Sequence, residues 1–239
     1  QCDESLQRLG TDYIDLYQIH SHDPVTDIRE TLETLTDLVR AGKVRYIGCS
    51  NLSAWQLMKT LGLSRQHRLA EFVSTQSYYS IVGRELEREM IPLVEDQGLA
   101  VLPWSPLAGG FLSGKFTRDG ATDPSARRVK FDFPPVDKAR GYDIIDVMRD
   151  VAKTHDVSVA RIALSWLLHQ PAVTSVIIGA KRLDQLDDNL GSVEISLSEE
   201  ELGHLNTVSA LPVEYPTWMQ ITQTDREPGT SRDWGQFTR

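Results

Sequence analysis

Cysteine is nearly absent. Cys2 and Cys49 are the only two in 239 residues, too few and too far apart for a disulfide framework or a metal motif. Cys49 lies in an apolar run and reads as a small buried hydrophobe. Long hydrophobic runs are missing too: no stretch approaches the ~18 consecutive apolar residues of a membrane span, and no charged-then-apolar leader precedes the first element. Positive charge is scarce, with 25 Lys and Arg against 34 Asp and Glu and a net charge of −9. An acidic surface is repelled by a duplex unless one face is strongly basic. Neither nucleic acid nor a membrane is therefore an expected partner, and a cytoplasmic location is the expectation. The chain opens on Gln1 inside a helical run, without Met, so a piece of a longer protein is expected.

What is present is alternation. Apolar β-rich runs at Tyr13–Ile19, Val44–Cys49, Phe72–Gln76, Ala100–Trp104 and Ser175–Ile178 are separated by amphipathic helical runs. The first four recur at roughly 28–30 residues, the size of a βα unit, and their near-continuous apolar character suits strands covered on both faces. Helices are expected over Asp27–Arg40, Glu85–Gln97 and Ser158–His169, the first two stopped by Gly42 and Gly98. Ser198-Glu199-Glu200-Glu201 is a capping box opening another. The spacing breaks between Trp104 and Ser175, where a Gly-rich loop, the Phe133-Pro134-Pro135 segment and two helices intervene. A long insertion after a strand in this architecture is commonly a functional loop. From Leu211 the composition turns irregular.

In a parallel α/β protein, chemistry gathers at the carboxyl ends of strands. Here those ends carry His20, Ser50-Asn51, Gln76, Trp104-Ser105 and Gly179-Ala180-Lys181. Imidazole suits proton donation or carbonyl polarisation. Ser, Asn and Gln can orient an amide, a Trp face can stack on a planar ring, and Lys beside a glycine turn suits phosphate. Together they describe a nicotinamide dinucleotide laid across one rim. A competing reading takes His20-Ser21-His22 with Asp23 as the start of a zinc site; it needs further ligands from other strand ends, which carry Ser, Asn, Gln and Trp instead.

The chain resembles the aldo-keto reductases, in the branch that includes potassium-channel beta subunits and many bacterial and plant reductases. The matching stretches are Leu9 to His20, Gly42 to Asn51, Gln76 to Tyr79, Trp104 to Gly110 running on to Ser113-Gly114-Lys115, and Ile178 to Lys181 with Asp188-Asn189. The resemblance implies a (β/α)8 TIM barrel without the G-x-G-x-x-G dinucleotide fingerprint, which this chain also lacks, and of which about the last five βα units are expected here as an open partial barrel. Residues 1–210 are expected to be its C-terminal part and 211–239 an irregular tail. The implied activity is reduction of aldehydes or ketones with NADP(H), NAD(H) being second choice, on a small carbonyl substrate. By resemblance His20 is catalytic and orients the substrate carbonyl. Ser50, Asn51 and Gln76 hold the nicotinamide carboxamide, and Trp104 stacks on its ring. Ser105, Leu107, Gly109 and Lys115 cross the pyrophosphate, and Arg127 or Arg128 approaches the adenosine side. Gly179, Ala180, Lys181, Gln185, Asp188 and Asn189 hold the adenosine end, with Lys181 favouring a 2′-phosphate. Relatives keep a catalytic Asp, Tyr and Lys ahead of the His-bearing strand; none is placed in this chain, so activity of the chain alone is doubtful. A non-catalytic, cofactor-binding interaction protein of the same fold is the alternative. Self-association through open barrel edges is also expected.

Overall fold

A computed structural model describes residues 1–121 and 127–221, with Ala121 and Arg127 described by their backbone alone. The chain divides into two units, Gln1–Ser209 and Ala210–Arg239. The first begins α1 (Cys2–Leu9), β1 (Ile14–Ile19), α2 (Ile28–Arg40), β2 (Val44–Ser50), α3 (Ala54–His67), β3 (Phe72–Tyr78), a 3-10 turn at Glu85–Glu87, α4 (Met90–Gln97) and β4 (Ala100–Trp104). A 3-10 segment at Ala108–Ser113 follows, then the hairpin β5 (Phe116–Thr117) and β6 (Gly120–Ala121), α5 (Arg127–Lys130), α6 (Lys138–Thr154), α7 (Val159–Leu168), α8 (Leu183–Leu190), a 3-10 turn at Gly191–Glu194 and α9 (Glu199–Val208). The second unit contributes α10 (Thr217–Ile221).

The first four strands form one parallel sheet in sequential order, β1-β2-β3-β4. A helix follows each of the first three strands, and all three pack into one core with the sheet, which is the winding of a (β/α) barrel wall. The fold is therefore parallel α/β, and among the described residues the sheet is open. Two apolar cores support it. Leu32 and Leu35 of α2, Leu57 and Leu61 of α3 and Val94 of α4 pack on Ile47, Phe72 and Val101 of the sheet. Further along the chain, Phe111, Ile144, Met148, Trp166 and Leu205 form the second core with Tyr79, just beyond β3.

Local chemistry explains the element ends. Asp27 caps α2 by accepting from the Arg29 N–H at 2.9 Å, and Gly10 and Gly98 close α1 and α4 in the left-handed conformation. The capping box expected at Ser198 is present, with Glu201 reaching back to the Ser198 N–H at 2.8 Å. Two expectations are corrected. The helix expected over Glu85–Gln97 breaks before Met90, because Pro92 lacks an N–H and its ring is tolerated only in a first turn. The strand expected at Ser175–Ile178 does not form. That segment lies along β4, with Thr174 N–H donating to the Val101 carbonyl and Ile177 N–H to the Pro103 carbonyl, at 3.0 and 2.9 Å. A single parallel bridge forms there among the described residues, between Val101 and Val173. It does not extend into a ladder, because Pro103 has no N–H to return and the Val101 N–H is shared with the Thr174 hydroxyl.

Candidate active site

The carboxyl ends of β1, β2 and β4 are tied together by one side chain. Asn51 follows β2 with a φ of 54°, a left-handed conformation that Asn tolerates better than most residues. This turn swings its amide back over the sheet end. Its Nδ2 donates to the His20 carbonyl and its Oδ1 accepts from Trp104 Nε1, both at 3.0 Å. The His20 imidazole itself is exposed. Ser50 is buried, and its hydroxyl donates to the Gln76 carbonyl at 2.7 Å; the Asn51 N–H donates to the same oxygen. Gln76 in turn accepts at Oε1 from Gln18 of β1.

Trp104 opens a cleft of about 1050 Å³ that runs past Ser105, Leu107, Gly109 and Lys115 to Gly179, Ala180, Lys181, Gln185, Asp188 and Asn189. The loop after β4 makes one side of it. Ser105, at φ 53°, turns the chain sharply out of the strand, and its hydroxyl accepts from the Gly109 N–H at 3.0 Å. Gly109 is left-handed at φ 65°, and a Cβ there would overlap the Phe133 carbonyl oxygen. Phe133 itself stacks over Trp104, with ring centroids 6.0 Å apart and planes 12° from parallel; Tyr78 contacts Trp104 at 5.2 Å.

The far end is built around α8. Arg182 provides no side-chain cap there, and the backbone N–H groups of Asp184 and Gln185 in the first turn are drawn to the Asp184 carboxylate. The acidic groups of this end are occupied. Asp184 pairs with Arg182 at 2.6 Å, which holds its carboxyl below the usual carboxylate range. Asp188 takes a hydrogen bond from Ser158 Oγ at 2.6 Å and one from Arg161 Nε at 2.8 Å. Lys115 and Lys181 are then the ammonium groups that line the cleft. Asn189 is 5% exposed, and its side-chain amide makes no hydrogen bond to another described residue. Its polar atoms are not sealed from solvent, so on the cleft wall the amide is open to a polar ligand.

Of the expected site residues, the cleft therefore collects those from Trp104 through Asn189, while His20, Ser50, Asn51 and Gln76 sit at the adjoining strand ends. The side chain of Arg127 lies outside the described residues. Arg128 is buried and serves the loop instead: it donates to the Ala108 and Pro134 carbonyls at 2.6 and 2.7 Å and pairs with Asp132 at 2.7 Å. Asp23, the proposed third zinc ligand, has its carboxylate committed to the Val25 N–H and the Thr26 hydroxyl, which lowers its pKa. Among the described residues no group of three or more His, Cys, Asp or Glu could hold a metal ion. Phe133, Ser158, Arg161 and Gln18 are site or supporting residues that the sequence did not single out.

The profile of the aldo/keto reductase family matches residues 1–210. The chain belongs to the aldo/keto reductase family. It is 39% identical over 204 residues to the uncharacterized oxidoreductase YrpG of Bacillus subtilis, covering 85% of this chain and 61% of that protein. It is 35% identical over 208 residues to a versiconal hemiacetal acetate reductase of Aspergillus parasiticus, covering 85% and 59%. Among solved structures, the thermostable aldo-keto reductase Tm1743, crystallised with the inhibitor epalrestat, superposes with a TM-score of 0.68 at 30% identity, covering 87% of this chain and 64% of that one. The chain thus spans about three-fifths of the length of these relatives. In this aldo/keto reductase chain the cleft starts at Trp104, where β4 of the parallel sheet ends, and runs on to Asn189. Among the described residues no helix is long and apolar enough to cross a membrane.

Proposed function

We propose that this chain carries the dinucleotide-binding part of a carbonyl-reducing site and takes NADP(H) in preference to NAD(H). The observation that carries the reading is the cleft itself, which joins an aromatic ring at one end to a lysine and a buried, unpartnered Asn189 at the other. Two relatives named as an oxidoreductase and a reductase support the reaction class.

In this reading Trp104 offers a ring face to the nicotinamide, and Asn51 keeps that ring from turning by holding its N–H. Gln76 and the Ser50–Asn51 turn receive the carboxamide. Ser105, Leu107, Gly109 and Lys115 flank the pyrophosphate; left-handed Gly109 brings backbone close without a side chain in the way. Lys181 faces a 2′-phosphate, and Gln185, Asp188 and Asn189 form the adenosine wall. When bound, reduced cofactor supplies a hydride to the carbonyl carbon. His20, exposed where β1 ends, orients the carbonyl oxygen and donates a hydrogen bond to the charge that develops on it. The proton donor is not assigned to any residue of this chain.

The expected result with the 239-residue chain is saturable NADPH binding that adenosine 2′,5′-bisphosphate competes away, with no oxidation of NADPH by 4-nitrobenzaldehyde above background. Turnover would show that a proton donor is present and would overturn the assignment of His20 as the lone catalytic group. Stoichiometric bound zinc would sink the reductase reading. Self-association through the edge of β1 belongs to the same reading. Sedimentation velocity is expected to find dimers or larger species, and a monodisperse monomer would refute it.

A further inference from the structure

Gln18 is a half-buried polar side chain in an otherwise apolar stretch of β1. Its neighbours in β1 are Leu16, Tyr17 and Ile19, and its Oε1 is sealed from solvent with no hydrogen-bond partner. Burying an unsatisfied carbonyl oxygen costs about 1–3 kcal/mol, so an apolar side chain would serve the fold better. What Gln18 does is reach across the sheet. It pairs in register with Gly48 of β2, and a Cβ at Gly48 would lie 3.1 Å from Gln18 Oε1 and 2.5 Å from Ser74 Oγ. The missing side chain at Gly48 therefore opens a path over β2, through which Gln18 Nε2 donates to Gln76 Oε1 at 2.9 Å.

Gln76 is consequently held at two points. Its backbone carbonyl accepts from the Ser50 hydroxyl and the Asn51 N–H, and its side-chain oxygen accepts from Gln18. Its amide nitrogen has no hydrogen-bond partner among the described residues. A glutamine amide is nearly symmetric in shape but not in chemistry, since turning it over exchanges two donors for an acceptor. With the Gln18 N–H against its oxygen, turning over Gln76 alone would set donor against donor, so the two amides can reverse only together. The observed arrangement leaves Gln76 Nε2 without a partner among the described residues.

We infer that Gln18 is a positioning residue that fixes the amide of Gln76, so that Gln76 presents an N–H, and not its carbonyl, to the carboxamide oxygen of a bound nicotinamide. This rests on the cofactor reading above and adds to it a residue that touches no ligand and a direction for the hydrogen bond.

The test measures dissociation constants by calorimetry for NADP+, for its 3-acetylpyridine analogue and for adenosine 2′,5′-bisphosphate. The analogue keeps the acceptor oxygen of the carboxamide and lacks its N–H donors. Gln18→Leu is expected to weaken NADP+ and the analogue alike by about tenfold, the scale of one lost hydrogen bond. It is expected to leave the bisphosphate within about twofold, to have no further effect in a Gln76→Leu background, and to leave the melting temperature unchanged or raised. Additive losses in the double variant would overturn the inference, as would an equal loss for the bisphosphate or a lowered melting temperature. Binding of the analogue that is insensitive to Gln18→Leu would show that Gln76 presents its carbonyl instead. Binding of the bisphosphate by wild type with NADP+ unaffected in Gln18→Leu would sink this inference alone. Failure of wild type to bind any of the three would remove the cofactor reading and the inference with it.

Discussion

Lys181 and Arg182 are adjacent at the start of α8, and only one of them is paired with a carboxylate of its own turn. The Arg182 guanidinium is engaged by Asp184, whereas at Lys181 it is the backbone N–H that is used, donating to Gln185 Oε1 at 3.2 Å. Lys181→Ala is therefore expected to weaken NADPH by about tenfold and NADH by no more than about twofold, read from fluorescence titrations; equal losses would place Lys181 away from the 2′-phosphate. Cys49 gives a second residue-scale check. Burial pushes its thiol up to about 12, so thiol reagents at neutral pH are expected to modify it only after unfolding. The apolar environment of Cys49 was legible in the sequence, as were His20 and Trp104, because each follows from its own place in a strand. Gln18, Phe133 and Arg161 were not. Their roles lie in partners 58, 29 and 27 residues away, Gln76, Trp104 and Asp188 respectively, which no local pattern displays.

At the scale of elements, the loop between β4 and α6 is held by Arg128. A guanidinium that is 4% exposed joins the Ala108 and Pro134 carbonyls, on the two sides of the loop. Arg128→Met removes two charge-assisted hydrogen bonds and the ion pair with Asp132, and strands two carbonyls. It is expected to destabilise by about 3 kcal/mol in urea unfolding and to make the 108–134 region more accessible to protease than the sheet. An unchanged urea midpoint would contradict this role. The strands and most helices were readable from periodicity: Leu32 and Leu35 in α2, and Ile162, Ala163, Trp166 and Leu167 in α7, are buried as their spacing required. The failures have local causes that periodicity does not report. Pro92 moves a helix start to Met90, and Pro103 withholds the N–H that a fifth strand needed from β4.

For the molecule as a whole, one joint between helices contributes to the pH dependence of stability. Glu201 closes the capping box of α9 and accepts from His155, which ends α6, at 2.8 Å. Burial alone would raise its carboxyl, but hydrogen bonds from the Ser198 N–H and hydroxyl and from His155 hold it below the usual 4.5. A carboxyl depressed in the folded state stabilises above its unfolded pKa, and that contribution is lost as pH falls through the folded value. Glu201→Gln is therefore expected to lower the urea midpoint at neutral pH and to flatten the fall in stability below the ordinary carboxylate range; an unaltered pH profile would dismiss the joint. The central claim is that the Trp104–Asn189 cleft receives a nicotinamide dinucleotide with its ring on Trp104. It is tested most directly by titrating the chain with NADPH while following tryptophan emission, in wild type and in Trp104→Phe. The expected result is a saturable quench in wild type that adenosine 2′,5′-bisphosphate reverses. In Trp104→Phe most of that quench should disappear while calorimetry still detects NADPH binding. An undiminished quench in Trp104→Phe, or no quench in wild type, would contradict it.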